Sequence, residues 1–378
     1  MKTIGILTYQ DALNFGAAFQ CKALYQFVAN NDNRFDVLVL DYANKAIFQK
    51  TDSKSVLSNR SIDVKNKIKM LINAALSNIV KRRFAAFYKD VFFSEKILSN
   101  EFHKAEQICD YFIIGSDQLW NFELNGGDVN YLLPEINKDK VITYATSIGQ
   151  EMVPQKYIDI FVNNIRDIKY ISVREQTAKL YINRLLLEKE IGLVLDPVFL
   201  LERDYWLKYI SYGKKKKGVS CYLFHKEFLQ ETYEIMRKLN IDHASIRKIC
   251  GGITVKDILN PRVKTGLLYG PTDALNAIYG SEVIFTDSFH CVALSIIYHV
   301  DFYVFLTGDL GRDSRIMQLL DIAGLPYRVV QDKFDYTTKI DWKQVDERIG
   351  RMRLSSQNYL IEALRSFKYK NIGYYKNE

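Results

Sequence analysis

Cysteine is scarce and unpaired in this chain of 378 residues: five thiols, Cys21, Cys109, Cys221, Cys250 and Cys291, stand singly, mostly in apolar surroundings. That scatter, without CxxC or any close pair, excludes a disulfide framework and a thiolate metal cluster. Histidine is sparse as well, and the five residues show no HxxxH or HExxH spacing, so no metal is expected. Only six prolines interrupt the chain, which leaves long stretches able to form helices and strands. No apolar run approaches the ~18 residues of a membrane span. The first apolar stretch breaks at Tyr9-Gln10-Asp11, too early for a signal core, and the expected location is cytoplasmic or peripheral to a membrane. The glycine fingerprint GxGxxG is absent, which withholds support for NAD or FAD, and Ser116 lies outside any GxSxG elbow.

What the chain does have is apolar bulk. With 48% hydrophobic residues it can bury substantial cores, and its length suits two domains of about 150 to 200 residues rather than one. Tyrosine and phenylalanine are abundant, 25 and 22 residues, which fits sheet-rich domains and supplies stacking surfaces for sugars. The formal charge of +8 is unevenly spread: Arg60, Lys65, Lys67, Lys69, Lys81, Arg82, Arg83 and Lys89 are opposed only by Asp63 and Asp90 between residues 60 and 90. Such a segment is either a solvated helix face or a basic amphipathic surface for anionic lipid or a phosphorylated substrate. Lys214 to Lys217 form a second run, read as a polar loop before a strand. Nucleic acid is not expected as a partner.

The first half alternates short apolar runs with helical patterns, the signature of a parallel α/β domain. Thr3 to Thr8 reads as a strand, and Ala17, Ala18, Cys21, Leu24, Tyr25 and Val28 then recur at helical spacing. Val37 to Leu40, Tyr111 to Ile114, Val141 to Ala145 and Tyr170 to Val173 follow as strands, with residues 44 to 61 read as a mobile loop. The pattern restarts at Val219 to Phe224, continues through a helix over 227–239, and reaches Phe302 to Phe305 and an amphipathic stretch near Arg312. The expected boundary falls between about 198 and 217 and divides 1–200 from 201–378. The helix-like segment 351–368 is placed to return to the first domain.

Residues 281 to 300 hold the most informative junction, because an apolar strand stops at Thr286-Asp287 and a helical apolar pattern begins at once. His290 therefore falls in the first helical turn. With Asp287 or Ser288 as N-cap, free N–H groups and the positive dipole end point above the sheet, where an anion is the natural occupant. A histidine beside an anion is both a charge partner and a proton donor. Asn14, Gly16 and Gln20 lie between the first strand and its helix, where glycine permits close approach of backbone to ligand, or where Asn14 simply caps a turn. Ser116, Asp117, Gln118 and Trp120 come together just beyond a buried strand, polar groups beside an indole face as at a carbohydrate site; Asp117 as a helix cap is the alternative. Arg174, after the strand Ile171-Ser172-Val173, and Arg315, opening a helix, carry forks that suit a carboxylate or phosphate. His103, His225, His243 and His299 lack comparable settings.

Taken in order, Gly5-Ile6-Leu7-Thr8-Tyr9, Asn14-Phe15-Gly16-Ala17 with Gln20, Ile113 to Asn121, Tyr144 to Gly149, Ile171 to Glu175, Leu195-Asp196-Pro197 and Thr286 to His290 resemble the polysaccharide pyruvyl transferase family. The resemblance runs from about residue 4 to residue 328, ending in Ser314-Arg315-Ile316, Leu319-Leu320 and Gly324-Leu325. Cys291 stands where the family usually has glycine, and Phe15 where tyrosine is common, so the room beside His290 is expected to differ.

The resemblance implies a GT-B-like fold: two Rossmann-like domains facing a cleft, with a C-terminal helix crossing back. It also implies transfer of pyruvate from phosphoenolpyruvate to two hydroxyls of a sugar, as a ketal, in a surface or capsular polysaccharide precursor. On that footing His290 and Asp117 are the catalytic candidates. Arg174, Asp287, Ser288 and Arg315 are expected on the donor side, and Asn14, Gly16, Gln20, Ser116, Gln118 and Trp120 around the acceptor, a sugar or lipid-linked oligosaccharide. No cofactor is required, since arginines can neutralise the donor. Other readings are a nucleotide-sugar glycosyltransferase on the same architecture and a non-catalytic carbohydrate-binding relative.

Overall fold

The computed structural model of the chain describes residues 1–44, 46, 64–211, 218–241, 246–250, 255–261, 263–331 and 337–367. Apart from Asn44 and Ala46, the 44–61 loop lies outside the described residues, as do Arg60, Asp63, the lysine run 214–217, His243 and the side chains of Lys65, Lys67 and Lys69.

Two parallel sheets organise the molecule. In the first, β1 (Lys2–Leu7), β2 (Phe35–Val39), β5 (Tyr111–Ile114) and β6 (Val141–Thr143) lie in the order β2-β1-β5-β6. Bridges at Ile142–Tyr170 and Thr146–Val173 extend it to the parallel pair β7 (Ile171–Val173) and β8 (Ile191–Leu193). In the second sheet, β9 (Val219–Tyr222), β10 (Ile246–Cys250), β11 (Val263–Thr265), β12 (Val283–Thr286) and β13 (Asp301–Val304) take the order β11-β10-β9-β12-β13. A short parallel pair, β3 (Tyr42–Ala43) with β4 (Ile97–Leu98), stands apart. Every residue of β5, β9 and β12 is buried, as expected of strands covered on both faces, which is why they read as continuous apolar runs. In each sheet the order reverses beside the first strand of the unit, between β1 and β5 and between β9 and β12. Such switch points open a crevice at the carboxyl ends of the strands.

Several strands end sooner than their apolar runs. Thr8 leaves β1 and donates its hydroxyl to the Ser116 carbonyl at 3.0 Å. Phe224 leaves β9 because its N–H turns to the Asp287 carboxylate at 2.8 Å. At Phe224 a loop partner distant in sequence replaces the ladder, and at Thr8 a side-chain bond ties the end of the strand to the loop after β5.

The longer helices are α1 (Phe15–Asn31), α2 (Val64–Phe87), α3 (Ile158–Ile165), α4 (Gln176–Leu185), α5 (Phe228–Lys238), α6 (Pro271–Tyr279), α7 (Phe289–Tyr298), α8 (Leu310–Ala323) and α9 (Trp342–Arg365). Residues 16–25 of α1 are buried without a break, including Lys22, whose ammonium is tied to the Phe87 carbonyl and Asp90. This helix touches both halves of the molecule: Phe15 meets Tyr222 edge-on at 6.2 Å and Phe19 meets Trp206 at 6.1 Å.

Helix α9 is capped by Asp341, whose carboxylate accepts from the Lys343 and Gln344 amides. It packs on α8, and Tyr359 in its later turns donates its hydroxyl to the Thr143 carbonyl of the first sheet at 3.4 Å. Leu195 N–H donates to Ser356 Oγ at 2.9 Å, Arg34 to the Leu364 carbonyl at 3.4 Å, and Phe367 beyond the helix stacks on Tyr111 at 4.3 Å.

Candidate active site between the two sheets

The crevice between the sheets is a cavity of ≈ 1140 Å³ whose walls are the loops that follow β1, β5 and β6 on one side and β9, β12 and β13 on the other. Each half thus presents its switch-point loops to the same space. Asn14, Asp117 and Gln118 line it from the first half; Ser288, His290 and Arg315 line it from the second.

The β12–α7 junction forms because the apolar run Val283–Thr286 ends in polar Asp287-Ser288 and a helical apolar face starts at Phe289. Ser288 occupies the N-cap with extended backbone, and no side chain caps the helix. The first-turn amides of α7 and its positive dipole end are thereby left for an anion in the cleft. By contrast, the start of α8 is closed by its own Asp309, which accepts from the Gly311 and Arg312 amides.

His290 is held on two sides. A Cβ placed on Gly16 would lie 2.1 Å from its Nδ1, so the imidazole rests directly on the backbone of α1, a contact only glycine permits. On the other side, Nε2 stands 3.5 Å from Asp196 Oδ2, a carboxylate with no exposed surface. Asp196 also accepts from Arg174 Nη1 at 2.7 Å, and Arg174 Nη2 donates to Asp117 Oδ1 at 3.0 Å. A buried chain of side chains, His290–Asp196–Arg174–Asp117, therefore joins the second half of the molecule to the first. Burial raises the Asp196 pKa, but His290 and Arg174 outweigh it and hold the group at about 2. For Arg174 burial works against the charge, and Asp117, Asp196 and Glu175 overcome it and raise the guanidinium above its ordinary value. Asp117 adopts a left-handed φ of 87°, a conformation that an ordinary side chain enters only where surrounding contacts enforce it.

Arg315 opens onto the cleft, with its pKa lowered to about 10 by burial and then by the nearby charge of Arg174. It remains a cation at neutral pH. With the Gln118 amide oxygen turned toward it, both terminal nitrogens donate there, at 3.2 and 3.1 Å, while Nε has no partner. Arg312 lies over the Phe224 ring at 5.0 Å and reaches the Asp287 carboxylate at 3.9 Å.

Several expected roles are corrected by this geometry. Trp120 does not face the cleft: its indole is fully buried and meets Phe161 edge-on at 5.2 Å. Ser116 and Gln20 are also fully buried, Ser116 Oγ donating to the Ala145 carbonyl and Gln20 to Thr8 Oγ1, so neither offers a group to an acceptor. Gly16 admits His290 rather than a ligand. Arg174 directs its fork at two carboxylates, with its side chain 1% exposed, and positions Asp117 and Asp196 instead of contacting an anion. Asp287 is not the N-cap, and its carboxylate accepts from the Phe224 and His225 amides. Cys291 points into the core, completely buried, so it does not change the space beside His290.

Two cleft groups escape the sequence reading of roles, His225 and Arg312, as does Asp196, which is buried beside His290 and appears in the sequence only as part of a motif. His225 has no distinctive setting in the sequence, yet it lines the cleft beside buried Asp287. The signal for it was the carboxylate at 287, whose partner is supplied by the loop after β9. Among the described residues no group of three or more His, Cys, Asp or Glu is placed to hold a metal ion.

Comparison with known proteins agrees with this layout. The family described as polysaccharide pyruvyl transferase matches residues 14–309. No curated protein sequence matches the chain. Among solved structures, the UDP-GlcNAc 2-epimerase of Methanocaldococcus jannaschii in complex with UDP-GlcNAc and UDP is similar at 11% identity and a TM-score of 0.50, over 97% of this chain and 100% of that one. The UDP-GlcNAc 2-epimerase of Neisseria meningitidis bound to UDP-GlcNAc follows at 11% identity and 0.47, over 97% and 100%. A UDP-glucosyltransferase of Polygonum tinctorium has 11% identity and 0.41, over 98% and 99%. The shared fold is the GT-B type, two Rossmann-like domains facing a cleft.

Proposed function

The chain belongs to the polysaccharide pyruvyl transferase family, and from that premise we propose that it moves pyruvate from phosphoenolpyruvate to two hydroxyls of a sugar in a surface or capsular polysaccharide precursor, forming a ketal. The observation that carries this reading is the uncapped first turn of α7, with Ser288 and His290 on it and Arg315 on the same cleft. A donor bearing both a phosphate and a carboxylate needs amides and a cationic fork together, and this is where the cleft offers them. Neutralisation by Arg315, with Arg312 nearby, lets the donor be held without a cofactor.

In this reading His290 gives a proton to the donor methylene, and Asp196, 3.5 Å from its Nε2, orients the ring and balances the charge. Asp117, Gln118 and Asn14 from the first half face the donor side and are suited to bind acceptor hydroxyls. Arg174 acts through Asp117 and Asp196 as a positioning residue.

An acceptor presented on a lipid would bring the protein to the inner membrane face without a spanning segment. No described helix is long and apolar enough to cross a membrane. The C-terminal part of α2 and the turn after it expose Lys81, Arg82, Arg83 and Lys89, and Phe92 nearby is 73% exposed, a basic and aromatic combination suited to a bilayer surface.

The test is phosphate release from phosphoenolpyruvate with a panel of lipid-linked sugars, alongside thermal stability with candidate donors. Phosphoenolpyruvate is expected to raise Tm and to release phosphate only when an acceptor is present. Stabilisation by a sugar nucleotide and not by phosphoenolpyruvate would replace this reading with a glycosyltransferase.

A further inference from the structure

The cleft holds a second histidine–carboxylate pair, tighter than the first. His225 Nδ1 lies 2.7 Å from Asp287 Oδ2, and the Asp287 side chain has no exposed surface. Both carboxylate oxygens already accept backbone N–H groups, Oδ1 from Phe224 at 2.8 Å and Oδ2 from His225 at 3.0 Å. The loop is thus anchored without the imidazole, and the imidazole is an addition to it. Its ring is 34% exposed, lines the cleft, and keeps Nε2 for whatever the cleft contains. A carboxylate on Nδ1 fixes the tautomer with the proton on that nitrogen, which leaves Nε2 a proton acceptor. The other charged group at the pair is Arg312, 3.9 Å from Asp287 Oδ2.

Resting on the proposed reaction, we infer that His225 is a second catalytic residue: the base that takes the proton of the attacking sugar hydroxyl, with Asp287 orienting it. Ketal formation moves two protons per turnover. The donor methylene becomes a methyl group by taking one, and the departing phosphate takes the other; both come from the two hydroxyls. His290 protonates the methylene carbon while the first hydroxyl oxygen bonds to C2 and surrenders its proton to His225 Nε2. The bond from C2 to the phosphate oxygen then breaks with its electron pair, and His225 returns its proton to the phosphate as it leaves. The second hydroxyl closes on C2 and its proton resets His290. Both histidines end as they began, and no oxidant, reductant or further reactant enters. One imidazole alone would have to face the methylene carbon, the hydroxyl and the phosphate in turn, whereas two stations after adjacent strands β9 and β12 divide the work.

His225→Asn tests this, because the shorter amide keeps a donor near the Nδ1 position while Nε2 is lost. The expected result is a fall in kcat of about 100-fold or more, with donor KM and the donor-induced rise in Tm retained. Should His225→Asn lower the Tm of the free protein, His225→Gln is read in the same way. Turnover of a folded variant within about tenfold of wild type overturns the inference and leaves the transferase reading standing. Wild-type protein that releases no phosphate from phosphoenolpyruvate with any acceptor overturns both.

Discussion

At position 16 a single hydrogen decides whether a histidine of the second half can rest against the first. Gly16 lies in the first turn of α1, where alanine would normally gain about 1 kcal/mol of helix propensity. Its missing Cβ, however, is where the His290 ring sits, 2.1 Å from Nδ1. No rotation of a methyl group relieves that overlap, so the imidazole or the helix must move. Gly16→Ala is therefore expected to lower kcat by about tenfold or more while changing Tm little, since a shift of about 1 Å in a positioned group is enough for such a loss. Steady-state kinetics beside a melting curve would check it; full activity would show that His290 works from another position. Burial also pushes the thiols of Cys21, Cys109, Cys221 and Cys291 up to about 12, which keeps these four protonated at neutral pH.

Among the elements, α7 and α9 carry different duties. In α7 residues 291–298 are all buried, so the helix is rigidly packed and only its first turn reaches the cleft. Such packing holds His290 and Ser288 in place without any contact from substrate. Helix α9 spans the two halves, with Val345 and Ile349 buried at its start and Leu360, Ala363 and Leu364 at its end. Val345 and Ile349 are four residues apart, Ala363 and Leu364 follow Leu360 by three and four, and the step of eleven residues from Ile349 to Leu360 makes about three turns, so all five fall on one apolar stripe that continues a core shared by both sheets. Leu360 has no exposed surface, and Leu360→Ala should cost about 3 kcal/mol, lost transfer energy plus the cavity left behind. Because the core is continuous, urea unfolding is expected to shift as one transition. A second transition appearing at lower denaturant would mean that α9 holds the halves together without sharing their core.

Over the molecule as a whole, part of the net charge of +8 gathers on the C-terminal part of α2 and the turn after it. Arg83 is paired with Asp273 at 2.7 Å, and Lys81, Arg82 and Lys89 are exposed near Phe92. Each basic residue near an anionic bilayer contributes about 1 kcal/mol, so three engaged together suffice for reversible association that salt weakens. Co-sedimentation with anionic vesicles is expected to exceed that with neutral vesicles and to fall at higher ionic strength. Equal, negligible binding to both would remove the membrane role and leave the chemistry of the cleft untouched.

Sequence alone determined what depends on neighbours along the chain. The alternation of apolar runs marked the strands because a buried parallel strand must be apolar on both faces. The junction at 286–290 was legible because a strand end, an N-cap and a first-turn histidine occupy five consecutive residues. Tertiary structure decided which polar groups are used up by one another. Arg174 is 57 residues from Asp117 and 22 from Asp196, and His225 is 62 residues from Asp287. No local pattern reveals that the first set of contacts buries an arginine, or that the second sets a histidine on the wall of the cleft. Trp120 went the other way for the same reason: a loop after a strand has no fixed period, so which of its side chains enters the core is settled only when Phe161 arrives to cover the indole.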